Sequence, residues 1–347
     1  MRRILAFTRR WAAFLLLVAS LVPALVYRSW IDAQTAAVVV LATTLNTPVL
    51  TWLANTATDA PDVEETFVAG QPATLVRPGS GDRWPAIVFA NGATEEGRHH
   101  REVQRLARGL ARAGFLVVVP ELPGLRRGEI TLRTLAALVA VARATDARAD
   151  TSRVGFVGVS VGASLALAAA EDDELAGRVS AVAGIAPYAD LREVARLATT
   201  GSIRSDGRLV RYDADAFVTT AVRRSLAGGL TSRRGRAALG RLLRNRDPRA
   251  FDRLWRRLPR GLRTAARRLS PIGRPHRLRM PVELATSPDD KYFPVSESRR
   301  LVRVAPNAHL TVTATLSHAL PEPSPHAVGA ALRFDGFVVR GLRALRG

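Results

Sequence analysis

The hydrophobic pattern of the chain changes character three times. Residues 1–10 carry four arginines and no acid, and Trp11 to Tyr27 is an unbroken run of 17 uncharged residues. A second uncharged stretch runs from Ala33 to Thr58, diluted by threonines, Asn46 and Pro48. From residue 61 short segments alternate between two periods. VEETFVA and PATLVRP alternate apolar and polar positions with a turn between them, which predicts an antiparallel pair. PAIVFANG and FLVVVP are apolar runs of the kind found in strands buried on both faces, and RVGFVGV, VSAVAGIAP, PVELATS and AHLTVTATL are predicted strands as well. Between them lie helical patterns. In HREVQRLARGLARAG the residues Val103, Leu106, Leu110 and Ala113 share one face, and Gly114 marks the stop. TLRTLAALVAVARATDA, GASLALAAAEDDELAG, PVSESRRLVRVA and the C-terminal HAVGAALRFDGFVVRGLRAL are predicted helices as well. Strand–helix alternation of this kind predicts an α/β fold with a mostly parallel sheet covered on both faces. Its ligand site is expected at the carboxyl ends of the strands.

One segment interrupts the alternation. Residues 191–279 carry 24 arginines against six acids, a net +18, whereas the whole chain of 347 residues is +21. Nearly all of the imbalance therefore belongs to one insertion. Phe251, Leu254, Trp255, Leu258 and Leu262 recur there at helical spacing, with arginines around the remaining faces and Pro259 ending or kinking the helix. A similar stripe joins Ala238, Leu239, Leu242 and Leu243. Three uses of the arginines stay open: solvation of a helical cap, contact with anionic lipid, or recognition of an anionic substrate. Nucleic acid is not expected, since no binding motif is present and aromatic residues for base stacking are few.

Arg2, Arg3, Arg9 and Arg10 before an apolar run form the pattern of a signal anchor, with no clear A-x-A cleavage site after it. The positive-inside rule keeps those arginines in the cytoplasm and predicts an extracytoplasmic domain on a membrane anchor. If residues 33–58 form a second span, the domain returns to the cytoplasm. They are predicted here as an interfacial or linker helix. The expected organisation is a membrane segment over 1–32, a linker over 33–60, a core over 61–190 and 280–347, and the arginine-rich cap over 191–279. The chain has no cysteine, which excludes disulfides, thiolate metal sites and cysteine nucleophiles.

The candidate chemistry lies in Gly158-Val159-Ser160-Val161-Gly162, a G-x-S-x-G between a buried strand and an alanine-rich helix. A tight strand-to-helix turn there would present the serine, and side chains at the flanking glycines would collide across it. A serine hydroxyl needs a base to take its proton, and the base needs an acid to orient it. Asp289 and Asp290 follow a strand end, and His318 follows the last strand, so the chain order is serine, acid, histidine.

With these motifs the sequence resembles the α/β-hydrolase superfamily, and within it the dienelactone-hydrolase-like and prolyl-oligopeptidase-like esterases. The resemblance covers residues ~60–190 and ~280–347. It implies an α/β-hydrolase fold: a mostly parallel eight-stranded sheet, helices on both faces, and a helical cap. It implies Ser160 as nucleophile, His318 as base and Asp290 as acid. Pro294, four residues after Asp290, favours it over Asp289, and Asp190 is the remaining alternative, with helix capping as its other role. His309 is expected to pack within a strand, and His326 to start the last helix. The backbone N–H groups of Ala93 and Val161 are the expected oxyanion donors, although Asn91-Gly92 stands where the family often has His-Gly. Glu121 stands where an aspartate is more usual, with turn stabilisation as its other role. His99-His100 have no acid at ligand spacing, so no metal is expected, and the chemistry needs no cofactor. The implied activity is a membrane-tethered serine hydrolase of an ester, thioester or related acyl bond on a small acyl substrate. An inactive scaffold binding lipid or protein, and an acyltransferase using the same triad, are the rivals.

Overall fold

A computed structural model describes residues 30–45, 48–146, 153–228, 230, 232–321 and 328–347. The described chain opens in helix α1, residues 30–45, followed by α2, Pro48–Ala57. Then β1 (Asp62–Val68) and β2 (Gln71–Arg77) pair antiparallel in register from Asp62↔Arg77 to Val68↔Gln71. The alternation that follows is β3 (Ala86–Ala90), α3 (Arg101–Arg112), β4 (Leu116–Pro120), α4 (Leu132–Asp146), β5 (Val154–Val159), α5 (Val161–Ala170) and β6 (Val179–Ile185). The insertion holds α6 (Leu191–Thr200), a hairpin of β7 (Ser202–Ser205) and β8 (Arg208–Arg211), then α7 (Ala216–Ala227), α8 (Arg233–Leu243), α9 (Phe251–Arg256) and α10 (Arg260–Arg268). The sheet resumes with β9 (Val282–Thr286), α11 (Val295–Val304) and β10 (Ala308–Val312). A two-residue hairpin of β11 (Leu316–Ser317) and β12 (Leu320–Pro321) precedes the C-terminal α12 (Val328–Arg346).

Eight strands form one sheet in the order β1-β2-β4-β3-β5-β6-β9-β10. β2 is antiparallel to both its neighbours, and the remaining pairs are parallel. This is the α/β-hydrolase fold that the alternation predicts. Every residue of β3 and β4 is buried, as strands covered on both faces require. β1 sits at one edge, mostly exposed, and carries Asp62, Glu64 and Glu65, charges that discourage pairing with a further strand. His309 departs from its expectation. It lies on β10, the other edge, where its half-exposed ring meets Glu283 and Arg340 instead of packing.

The apolar stripe of the insertion faces inward, and Phe251, Trp255 and Leu258 join the main core. The stripe is split between two helices, α9 closing at Arg257 and Pro259 standing as the N-cap of α10. One arginine is fully buried. Arg196 donates to both carboxylate oxygens of Glu193, at 3.0 and 3.2 Å, and to Asp252, and lies 4.4 Å from the centroid of the Phe251 ring. Burial opposes the charge on Asp252, yet hydrogen bonds from Arg196, Arg192 and Arg204 hold its carboxyl down to about 2.

The segment predicted as an interfacial or linker helix has a protein-facing surface. Ala33, Ala36, Ala37 and Val40 of α1 are buried in the same cluster as Phe89, Ala107 and Leu342. Gly109 of α3 permits the approach, since a Cβ there would stand 3.2 Å from the Val40 carbonyl oxygen. Gln34 donates to Asp335 at 3.0 Å, and Arg343 stacks over Trp30 at 3.8 Å. Among the described residues no helix is long and apolar enough to cross a membrane. The apolar run Trp11–Tyr27 and His326 lie outside the described residues.

Burial lifts Glu171, just past α5, to about 8, with Arg274 and Arg277 pulling the other way. Its Oε1 has no hydrogen-bond partner among the described residues. The folded chain thus keeps a proton that the unfolded chain releases near 4.5, and stability should fall as pH rises from about 4.5 to about 8. Glu171→Gln is expected to flatten that fall, melting above wild type near pH 8 and close to it near pH 4, as thermal unfolding across pH would show.

Candidate active site

The serine is placed by a steric argument that the sequence already contains. Ser160 connects β5 to α5 with φ 55° and ψ −125°, a conformation that L-residues rarely adopt. Its N–H donates to the Ile185 carbonyl at 2.7 Å, which locks the turn onto the neighbouring strand. A Cβ on Gly158 would lie 2.5 Å from Ala163 Cα, and one on Gly162 would lie 2.0 Å from the Ala90 carbonyl oxygen. The tightness of this turn therefore demands glycine on both sides and leaves the hydroxyl projecting at the carboxyl edge of the sheet.

His318 occupies the turn between β11 and β12, also at positive φ, 54°. Its Nε2 lies 2.9 Å from Ser160 Oγ, and its Nδ1 lies 2.7 Å from Asp290 Oδ2. The other carboxylate oxygen of Asp290 accepts the N–H groups of Tyr292 at 2.7 Å and Phe293 at 2.9 Å. As a carboxylate Asp290 only accepts, so Nδ1 carries the imidazole proton and Nε2 is free to accept from the serine. The Asp290 side chain is completely buried, and its hydrogen bonds compensate the cost of removing it from water.

The three acids that the sequence leaves as alternatives are now separated by contact. Asp190 caps α6, accepting from the Arg192 N–H at 2.9 Å, and receives Arg300 on its second oxygen at 3.3 Å. The Asp289 backbone donates to Ser287 Oγ at 3.3 Å, and the residue lines the cavity beside the site. Only Asp290, among the three, meets His318.

The loop after β3 brings Gly92 against the serine, where a Cβ would stand 3.6 Å from Ser160 Cβ. Ala93 follows it, and Val161 is the first residue of α5. Neither N–H meets an acceptor among the described residues. Both are thus available to a ligand oxygen, and the α5 N-terminus adds partial positive charge. Asn91 is buried and its amide donates to the Gly92 carbonyl at 2.9 Å, so this residue braces the loop. Glu121 lies 3.9 Å from Arg98 and against Gly97, in keeping with a turn-stabilising role. His100 caps α3 through Nδ1 and lines the cavity.

Two aromatic neighbours were not anticipated. The Tyr292 ring lies 4.3 Å from the His318 ring, centroid to centroid, and Tyr212 has its hydroxyl buried near the acid without a partner among the described residues. Burial first, then the charges of Asp290 and Asp289, push the Tyr212 phenol above its ordinary range. The aromatic pair Tyr292-Phe293, one residue beyond Asp290 in DDKYF, was the available signal for Tyr292. A cavity of about 920 Å³ opens at Ser160 and His318 and is lined near them by Ala93, Thr94, His100 and Tyr292.

The model of a family described as the Alpha/beta hydrolase family matches residues 87–331. No curated protein matches the sequence. Among solved structures, a puromycin-hydrolysing peptidase of Mycobacterium tuberculosis aligns with a TM-score of 0.51 at 19% identity, over 81% of this chain and 37% of that one. Dipeptidyl peptidase 4 of Porphyromonas gingivalis aligns with a TM-score of 0.53 at 14% identity, over 85% and 37%. An acylaminoacyl peptidase in complex with a chloromethyl ketone gives 0.50 at 15% identity, over 85% and 42%. The chain spans about two fifths of the length of these proteins. At such identities the likeness is one of fold.

Proposed function

The chain belongs to the alpha/beta hydrolase family, and on that premise we propose that it is a serine hydrolase of an ester, thioester or related acyl bond. The observation that carries the reading is the continuous relay from Ser160 through His318 to Asp290, at 2.9 and 2.7 Å. Ser160 Oγ attacks the acyl carbon while His318 Nε2 takes its proton. The oxyanion that develops is held by the Ala93 and Val161 N–H groups, a form of stabilisation worth about a hundredfold or more per donor. His318 then protonates the leaving group. Water, deprotonated by the same ring, attacks the acyl-enzyme and releases a carboxylic acid. Asp290 keeps the imidazole in one tautomer throughout. The ester or thioester reading draws on the apolar cavity that opens at Ser160, and the solved peptidases contribute only their fold.

The same proposal places the domain at a membrane, on the basis of the basic and then apolar residues 1–27. One experiment addresses both parts. A fluorophosphonate probe applied to cells producing the full chain should add one phosphonyl group at Ser160, and the labelled protein should sediment with membranes after a high-salt wash. Absence of label on folded protein removes the hydrolase reading in favour of an inactive scaffold. Labelled protein in the soluble fraction removes the tether alone. Formation of a transfer product with an added alcohol or amine in place of free acid would identify the acyltransferase.

A further inference from the structure

The cavity at Ser160 does not end at the catalytic residues. Residues alternate along β5, so Phe156 and Gly158 face one side of the sheet while Val157 and Val159 face the other, under α3 and α12. The cavity follows this second side. Its floor is Phe89, Val157, Val159, Ala183 and Ile185 of the central strands. Leu106 and Leu110 of α3 form one wall, Leu342 and Leu345 of α12 another, and Val40 and Leu41 of α1 border it.

Its length follows from Leu345, which lines the cavity and reaches β5 so closely that a Cβ on Gly155 would meet its Cδ2 at 2.4 Å. Gly155 precedes Ser160 by five residues, roughly 16 Å of strand at ~3.3 Å per residue. Val157 and Ala183 each keep 8% exposure, while Phe89 of the same floor and Leu345 at its far end keep 1% and 2%. At Gly341, where a Cβ would lie 3.5 Å from Ala183 Cβ, α12 packs closely on the sheet.

Of the charged and polar lining residues, His100, Asp215, Asp289 and Lys291 belong to loops at the carboxyl edge, beside Ser160, and Glu102 of the first turn of α3 pairs with Arg105. Along the interior Thr44 contributes a hydroxyl, but that hydroxyl already donates to the Val40 carbonyl at 2.7 Å. The interior thus offers apolar area and little unsatisfied polarity.

We propose that this chamber receives an extended aliphatic acyl chain, laid along β5 beneath α1, with its carbonyl carbon at Ser160; the proposal rests on the hydrolase reading above. The acyl part, more than the alcohol part, suits a space that runs from Ser160 inward along the sheet. Ser160 Oγ bonds to the acyl carbon, the bond from that carbon to the leaving oxygen breaks, and the serine proton passes through His318 to the departing alcohol. The alcohol must escape by the mouth, while the chain stays covalently fixed until water cleaves the new ester to a free fatty acid. The substrate class is therefore an ester or thioester of a medium-to-long-chain fatty acid.

The test is kcat/KM of the full chain for p-nitrophenyl acetate, butyrate, octanoate and laurate, each below its solubility limit. Burial of successive methylenes should raise the value at least about tenfold from acetate to octanoate. Leu106→Trp and Val157→Phe, which fill the chamber, should each lower the ratio of octanoate to acetate hydrolysis at least about tenfold. A flat or falling profile in wild type overturns the proposal, even if neither variant folds. So does a folded variant that affects both esters alike, or neither. A preference for octyl acetate over ethyl acetate with no dependence on the acid chain would assign the chamber to the alcohol and overturn it as well. Wild type that neither hydrolyses acetate nor takes up fluorophosphonate fails the hydrolase reading itself, a separate result.

Discussion

Ser160→Ala is expected to lower turnover by about a millionfold and to abolish fluorophosphonate labelling, while the melting temperature stays near that of wild type. The size of the loss comes from the covalent step. Without Oγ no acyl-enzyme forms, and what remains is stabilisation of a direct attack by water through the Ala93 and Val161 N–H groups. The structural cost is small because Oγ, apart from its contact with His318, anchors nothing, and the turn is held by the backbone bond from Ser160 N–H to Ile185. Asp290→Asn should act on the same machine at a different point. An amide nitrogen facing Nδ1 favours the wrong tautomer, so Nε2 no longer accepts from the serine, and turnover falls about ten-thousandfold. Asp190→Asn and Asp289→Asn should stay within a few-fold of wild type. Steady-state kinetics of the four variants on one activated ester checks the assignment, and a loss at Asp190 or Asp289 comparable to that at Asp290 would displace it.

The second large effect concerns folding. Gly162→Ala should destabilise the protein by more than about 4 kcal/mol, a large share of what a domain possesses. The added Cβ would sit 2.0 Å from the Ala90 carbonyl oxygen and 2.3 Å from that of Asn91. Both obstacles are backbone of the strand and loop that carry Gly92 and Ala93, so relief requires moving the site itself. Gly261→Ala is the control. It lies within α10 with nothing near its Cβ position, and there alanine should stabilise by up to about 1 kcal/mol. Thermal or denaturant unfolding of the two variants reads the contrast directly. A cooperative, near-native transition for Gly162→Ala would show that the turn has more slack than its contacts indicate.

The parts legible in the sequence are those governed by short-range rules. Continuous apolar runs marked the buried strands because a strand covered on both faces tolerates no polar alternation. Gly158 and Gly162 marked the elbow because their Cβ atoms have no room, and Asp290 with His318 followed in the chain order of the fold. What stayed open depends on distant partners. Asp290 differs from Asp190 only in which residue stands across from it, Arg300 and a helix N-terminus in one case, His318 in the other. The β7–β8 hairpin was missed because Arg208 to Arg211 are all exposed and carry no periodicity that burial would impose. His309 was misplaced because an apolar strand pattern does not say which strand lies at the edge. Residues 33–45 illustrate the same limit, since an alanine- and valine-rich helical face is equally suited to lipid and to protein.

That last ambiguity bears on how the chain can be divided. Counted by motifs, the catalytic part begins with β1, and everything before it is leader. Counted by buried surface, helix α1 already belongs to it. Val40 touches the α3 backbone at Gly109, Arg112 donates to the carbonyls of Ala54 and Thr58, and Gln34 holds Asp335 near the opposite terminus. Helices α1 and α12 are thus stitched together across one side of the sheet. Modularity, in the sense of a part that can be cut away without loss, does not apply at residue 60. A trimmed chain would keep its triad and lose a wall.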